Sequence, residues 1–265
     1  MNLTFFPLTC FFLFGMGIPV LAQLHSSDDL NLKGSVKFLH STHYAVKKKK
    51  NGEIKKEGVL DGGEAYSLIV YNPDGLPVER YMGHLSQQKD STWKASRGMI
   101  KYIYDNESRQ LKGSLYKLRG EQYNSIAYSY DDAGRRIREI HDDAYDKTDA
   151  QCVFQYDEKE RLTVRNCYRP DGAFGSRTIQ RFDEKGNQIE YSLFMDGCCV
   201  DSKIVIKYDD QNTLIEERVF NSEDQFRYSM TYEYQYDEKG NWIQRLEYVD
   251  GKLMYLSERK LEYYE

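Results

Sequence analysis

Tyr128-Ser129-Tyr130-Asp131-Asp132-Ala133-Gly134-Arg135 reads as a strand running into a tight turn, and the chain repeats it. It returns as Phe154-Gln155-Tyr156-Asp157-Glu158-Lys159-Glu160-Arg161, as Phe182-Asp183-Glu184-Lys185-Gly186-Asn187, and as Tyr234-Gln235-Tyr236-Asp237-Glu238-Lys239-Gly240-Asn241. Worn copies occupy residues 71–76, 102–109 and 206–213. With the last aromatic as anchor, the positions are 71, 104, 130, 156, 182, 208 and 236, and four successive steps are 26 residues. A fixed period of this size marks a repeat array.

The anchor and the aromatic two before it share one strand face, because side chains alternate with period two. Asp, two free positions, Gly and then Arg or Asn suit a type I turn closed by a left-handed residue. Gly75, Gly134, Gly186 and Gly240 take that conformation without steric cost, Asn212 is the usual substitute, and Ser108 and Glu160 break the rule. The return halves, 161–168, 187–194, 213–220 and 241–248, each end on an aromatic. Asp171-Gly172, Asp196-Gly197 and Asp250-Gly251 then mark second turns. One unit is therefore two antiparallel strands. About seven units of ~26 residues predict an all-β chain of about fourteen strands, laid side by side as a long twisted or rolled sheet of ~65 Å.

Ahead of the repeats, residues 5–21 are almost wholly apolar, with Val20-Leu21-Ala22 before a cut ahead of Gln23. Residues 1–22 read as a secretory signal peptide, although the lack of Lys or Arg in the first four residues leaves an uncleaved anchor as the alternative. Residues 23–34 read as a flexible mature N-terminus and 35–265 as the repeat domain, with a degenerate first unit between 35 and 64. The run Lys47 to Lys50 reads as a solvated edge strand, or as a patch for an anionic surface.

The formal net charge of −5 gives no general attraction to nucleic acid, which removes that partner class. Twenty-three tyrosines among 265 residues suit a thin sheet, since each ring packs while its hydroxyl reaches water. Export permits disulfides. Cys152 and Cys167 flank the turn at 157–161: a three-residue loop leaves them one residue out of register, a four-residue loop sets them opposite. Cys198-Cys199 reads as two thiols on opposite strand faces or as a vicinal disulfide. The five histidines are scattered and no cluster has zinc spacing, so neither metal nor cofactor is expected. No nucleophile elbow, phosphate-cradling Gly loop or paired Cys and His motif occurs, so the reading is non-enzymatic.

Tyr128-x-Tyr130-Asp131-x-x-Gly134-Arg135 resembles the YD repeat of RHS-type proteins, secreted β-repeat chains of bacterial envelopes and toxins. The resemblance spans residues 71–248 and implies a spiralling or rolled sheet outside the cytoplasm, in contact with carbohydrate or another ligand. The expectation is an extracytoplasmic binding module of the envelope for a polysaccharide or protein, with no membrane span once the leader is removed. A structural or assembly part is the alternative, and an enzyme with a hidden site stands behind both. The candidate ligand strip is the aromatic column Tyr104, Tyr130, Tyr156, Phe182, Tyr208 and Tyr236; its plain alternative is the packed stripe of the sheet.

Overall fold

The computed structural model describes residues 32–60, 66–87, 93–105, 110–118, 121–143, 149–159, 161–195 and 199–265. The expected leader at residues 1–22, most of the stretch 23–34, Asp61-Gly62-Gly63, Ser108, Glu160, Asp196-Gly197 and Cys198 lie outside the described residues.

Nineteen strands form among the described residues. They are β1 (Val36–Lys48), β2 (Ile54–Val59), β3 (Tyr66–Tyr71), β4 (Pro77–Met82), β5 (Leu85–Gln87), β6 (Trp93–Ala95), β7 (Gly98–Tyr104), β8 (Leu111–Leu118), β9 (Glu121–Tyr130) and β10 (Arg136–Asp143). The chain continues through β11 (Asp149–Tyr156), β12 (Leu162–Tyr168), β13 (Phe174–Phe182), β14 (Gln188–Met195), β15 (Cys199–Tyr208), β16 (Leu214–Phe220), β17 (Phe226–Tyr236), β18 (Trp242–Val249) and β19 (Lys252–Tyr263).

The repeat units do not make an open twisted or rolled sheet; they close into a barrel. Each unit is a hairpin: β3 with β4, β7 with β8, and so on to β17 with β18, which supplies fourteen strands. Two more strands close the ring into a wall of sixteen. β19 pairs with β18 and also with β1, and β1 pairs on its other edge with β3. The physical reason lies at the edges. An open row of hairpins leaves N–H and C=O groups unpaired at both ends, and closure satisfies them. β1 is long enough for several partners: residues from Val36 to Ala45 bind β19, Phe38 to Thr42 bind β3, and Tyr44 to Lys48 bind β2 beyond the wall. The lysine run therefore ends in an exposed hairpin, in which Lys49 pairs with Glu53. β5 and β6 form a separate small sheet.

The two faces of the wall differ. Tyr128, Glu139, Cys152, Cys167 and Ser176 face one another across successive strands, and most of their neighbours on that face are buried or half-buried. Intervening positions such as Lys101, Ala127, Arg138, Gln155, Arg177, Lys207 and Glu233 are exposed. Side chains converge on a concave face and diverge on a convex one, so the buried set is the inner face. Leu39 and Ile69, paired across β1 and β3, anchor the closing seam with Val36 and Tyr71, and Leu32, Leu261 and Tyr263 pack against them.

The described repeat turns lie at one rim, since each is the first turn of its unit. Residues 131–135 show their construction. The Asp131 N–H donates to the Arg135 carbonyl, and the Gly134 N–H donates back to the Asp131 carbonyl, each at 2.9 Å. Asp131 Oδ1 accepts from the N–H groups of Ala133 and Arg135 at 3.1 and 2.8 Å. Gly134 sits at φ 80°, and Asn212 takes the same role at φ 64°. The turn after Tyr156 is one residue longer, the Asp157 N–H reaching the Leu162 carbonyl. That extra residue places Cys152 opposite Cys167, and a disulfide joins them.

Candidate functional site

The six aromatics of the column form part of a ring at this rim, and their hydroxyls follow one rule. Four of the five tyrosines donate to the carbonyl of the residue paired with the preceding anchor. Tyr104 reaches Pro77 at 2.8 Å, Tyr130 reaches Leu111 at 2.6 Å, Tyr156 reaches Arg136 at 2.7 Å and Tyr208 reaches Gln188 at 3.2 Å. Those acceptors are the partners of Tyr71, Tyr104, Tyr130 and Phe182 respectively. Tyr264 closes the circle by donating to the Tyr71 carbonyl at 2.7 Å. The column thus staples neighbouring hairpins, and its rings are half-buried except Tyr236, which is 47% exposed and stacks on Tyr234. Burial raises the phenol pKa of Tyr104 and Tyr156, which keeps them neutral donors.

Phe182 breaks the rule. Phe182 has no hydroxyl to offer, and Thr163, which pairs with the preceding anchor Tyr156, stands opposite Gln180, two residues from Phe182. A pocket of 430 Å³ opens at this point, lined by residues that include Tyr156, Thr163 and Phe182. Arg135 comes from the turn at 131–135, Lys159 and Arg161 from 157–162, and Asp183 and Glu184 from 183–187. Two of these charges are already committed. Arg135 Nη2 lies 2.7 Å from Asp131, and Asp183 accepts from its own turn at the N–H groups of Lys185 and Asn187. Arg161 meets Glu184 at 3.1 Å, but the Glu184 side chain is 81% exposed. The pocket is therefore two aromatic rings beside a set of exposed, exchangeable charges. It suits binding rather than proton transfer.

A second polar cluster lies inside the wall. Glu139, 1% exposed, accepts from Arg136 at 3.0 Å through Oε1 and from Arg165 at 2.8 and 3.1 Å through Oε2. Burial alone would push this carboxyl up; the hydrogen bond with His141 and the charges of Arg165 and Arg136 outweigh it and hold the pKa at about 2. Glu247 repeats the arrangement with Arg245, His43 and Ser257, again at about 2 against the pull of burial. Ligand atoms of Glu139, His141 and Cys152 lie within 4.8 Å of one another. A metal has little to bind there, because the Cys152 sulfur is bonded to Cys167 and both Glu139 oxygens already serve guanidinium groups. Sequence spacing did not bring out this cluster, since its members come from β10, β11 and β12; only the alternation of Glu139 and His141 along one strand face hinted at it.

No family model matches the chain, and no curated protein matches it. Among solved structures, a porin-like protein from Bacteroides uniformis is similar over 87% of this chain and 98% of that one, with 10% identity and a TM-score of 0.55. The Photorhabdus luminescens Tc holotoxin pore matches over 74% of this chain and 10% of its own, at 19% identity and a TM-score of 0.34. A Bacteroides fragilis protein of unknown function matches over 48% and 86%, at 15% identity and a TM-score of 0.24. The last two scores carry no argument. The first likeness establishes architecture alone: this chain shares the closed β-barrel of the porin-like protein.

Proposed function

We infer that this chain is a non-enzymatic, extracytoplasmic barrel of the cell envelope that binds a polysaccharide or protein ligand at its turn-bearing rim. The rim pocket between Tyr156 and Phe182 carries the reading, because it joins ring faces to charged groups that can change partners. The likeness to a porin-like protein and the resemblance of the repeat phrase to YD repeats both support an envelope location.

The barrel faces water on its outside. A membrane-spanning barrel carries an outward apolar band about 25 Å tall, and Lys or Arg at its midplane costs about 2–4 kcal/mol. Here Lys101, Arg138, Arg177, Arg181, Lys207 and Glu233 stand exposed on the outer face of five strands. One observation favours the assembly role as a second reading: Phe226, 55% exposed, forms an edge-to-face pair with Phe220 on the outer wall. Fractionation and retention on immobilised envelope polysaccharides test the proposal. Release into the soluble envelope fraction and saturable retention are expected. Extraction only by detergent, or no retention on any envelope component, would refute it.

A further inference from the structure

We propose that the rim pocket takes a carboxylate-bearing sugar, its ring stacked on Phe182 and its carboxylate held between Lys159 and Arg161. This rests on the rim-binding reading above and adds the chemical class of the ligand.

Three observations converge. First, the pocket opens where the ring of hydroxyl staples is interrupted. At Tyr156 the phenol oxygen spans to Arg136 and ties two hairpins together. At Phe182 that oxygen is absent, and Thr163, the residue paired with Tyr156, lines the gap. The apolar ring left behind suits the CH face of a pyranose. Second, the longer turn after Tyr156 carries Lys159 and Arg161 to the pocket wall. Among the described residues the Arg161 guanidinium meets Glu184, and exposed ion pairs contribute little, so a ligand carboxylate can replace Glu184 readily. An arginine fork also matches a carboxylate in a bidentate manner. Third, Asp183 stays ionised and is bonded to the N–H groups of its own turn, so beside it the pocket offers an acid the two cations Lys159 and Arg161. Backbone N–H bonds and the Asn187 amide offset the effect of burial and hold its carboxyl below the ordinary range. The volume of 430 Å³ falls among small-ligand sites, about 300–1,000 Å³.

The decisive variant is Phe182→Tyr. It adds one oxygen at the column position where Tyr130 and Tyr156 carry theirs, and it intrudes on the pocket. Calorimetric titration with tri-galacturonate, and with maltotriose as the neutral probe, reads the result. Expected are saturable binding of tri-galacturonate that weakens as salt rises, no binding of maltotriose, and loss of binding in Phe182→Tyr with an unchanged or raised melting temperature. Lys159→Ala and Arg161→Ala should each weaken binding about tenfold, the loss that follows a missing charge-assisted contact. Should Phe182→Tyr lower the melting temperature, the two charge variants decide alone, and parental affinity in both overturns the assignment. Equal binding of maltotriose overturns the acidic class while sparing the rim-binding reading. Failure of every envelope glycan to bind the parent overturns both.

Discussion

Replacing Glu139 by Gln tests whether the buried ion cluster holds the inner face together. The change keeps shape and one acceptor but removes the charge that Arg165 and Arg136 share. Arg165 is 3% exposed, so its guanidinium would stay buried beside an uncharged amide. Breaking one side of a buried pair costs about 3–5 kcal/mol. The remaining amide oxygen still accepts a hydrogen bond, which sets the expectation near the lower end, about 3 kcal/mol. Urea unfolding followed by tyrosine fluorescence should show a lower midpoint with an unchanged slope. Glu139→Met with Arg165→Met should recover part of the loss, because it removes one of the two stranded charges and leaves that of Arg136. Arg138→Ala, one residue away on the outer face and bonded only to the exposed side of Gln151, should stay within about 0.5 kcal/mol. A loss below about 1 kcal/mol in Glu139→Gln would refute the reasoning, for it would mean that water already screens the cluster.

The two buried carboxylates also predict acid sensitivity. Glu139 and Glu247 have folded pKa values of about 2 against an ordinary 4.5, so their stabilisation is present above pH 4.5 and disappears as pH falls toward 2. Each contributes up to about 3 kcal/mol by linkage, and a melting temperature that is flat from pH 5 to 3 would contradict it. Tyr130→Phe removes the donor to the Leu111 carbonyl and should cost about 1 kcal/mol in chemical denaturation, whereas an equal effect of Tyr236→Phe would count against the staple. Gly134→Val forces a branched residue to positive φ and should destabilise by about 1–2 kcal/mol, with Asp132→Ala near neutral; similar values for both would show that the turn tolerates any residue there.

The local units were legible because each rule acts within a few residues. Asp131 and Gly134 fix a turn, Tyr128 and Tyr130 fix a face, and the 26-residue step repeats both. Closure was not legible, because it depends on β1, whose sequence lacks the repeat phrase and whose closing partner β19 lies at the opposite end of the chain. Register against β19 follows from inner-face packing of Leu39 with Leu261, a match no periodicity announces. The site was legible in part. The aromatic column could be read from its spacing, but the use of its hydroxyls required knowing which carbonyl stands one strand away. Phe182 was visible as the odd member, while the pocket it leaves depends on Lys159 and Arg161 arriving from a neighbouring turn.

The pairing of Val36 with Tyr263 has a consequence for the order of events during synthesis. These residues are about 230 positions apart, and ribosomes add roughly 5–20 residues per second. One edge of β1 therefore waits roughly ten to forty-five seconds for β19, while hairpin after hairpin is added to the growing ribbon. Throughout that interval the ribbon exposes an unpaired strand at each end, and the unmatched edge of one chain is complementary to that of another. Two nascent chains can close each other's ring as readily as their own when crowded. The yield of single-chain barrel should thus depend on how far apart growing chains are kept until the last strand is made.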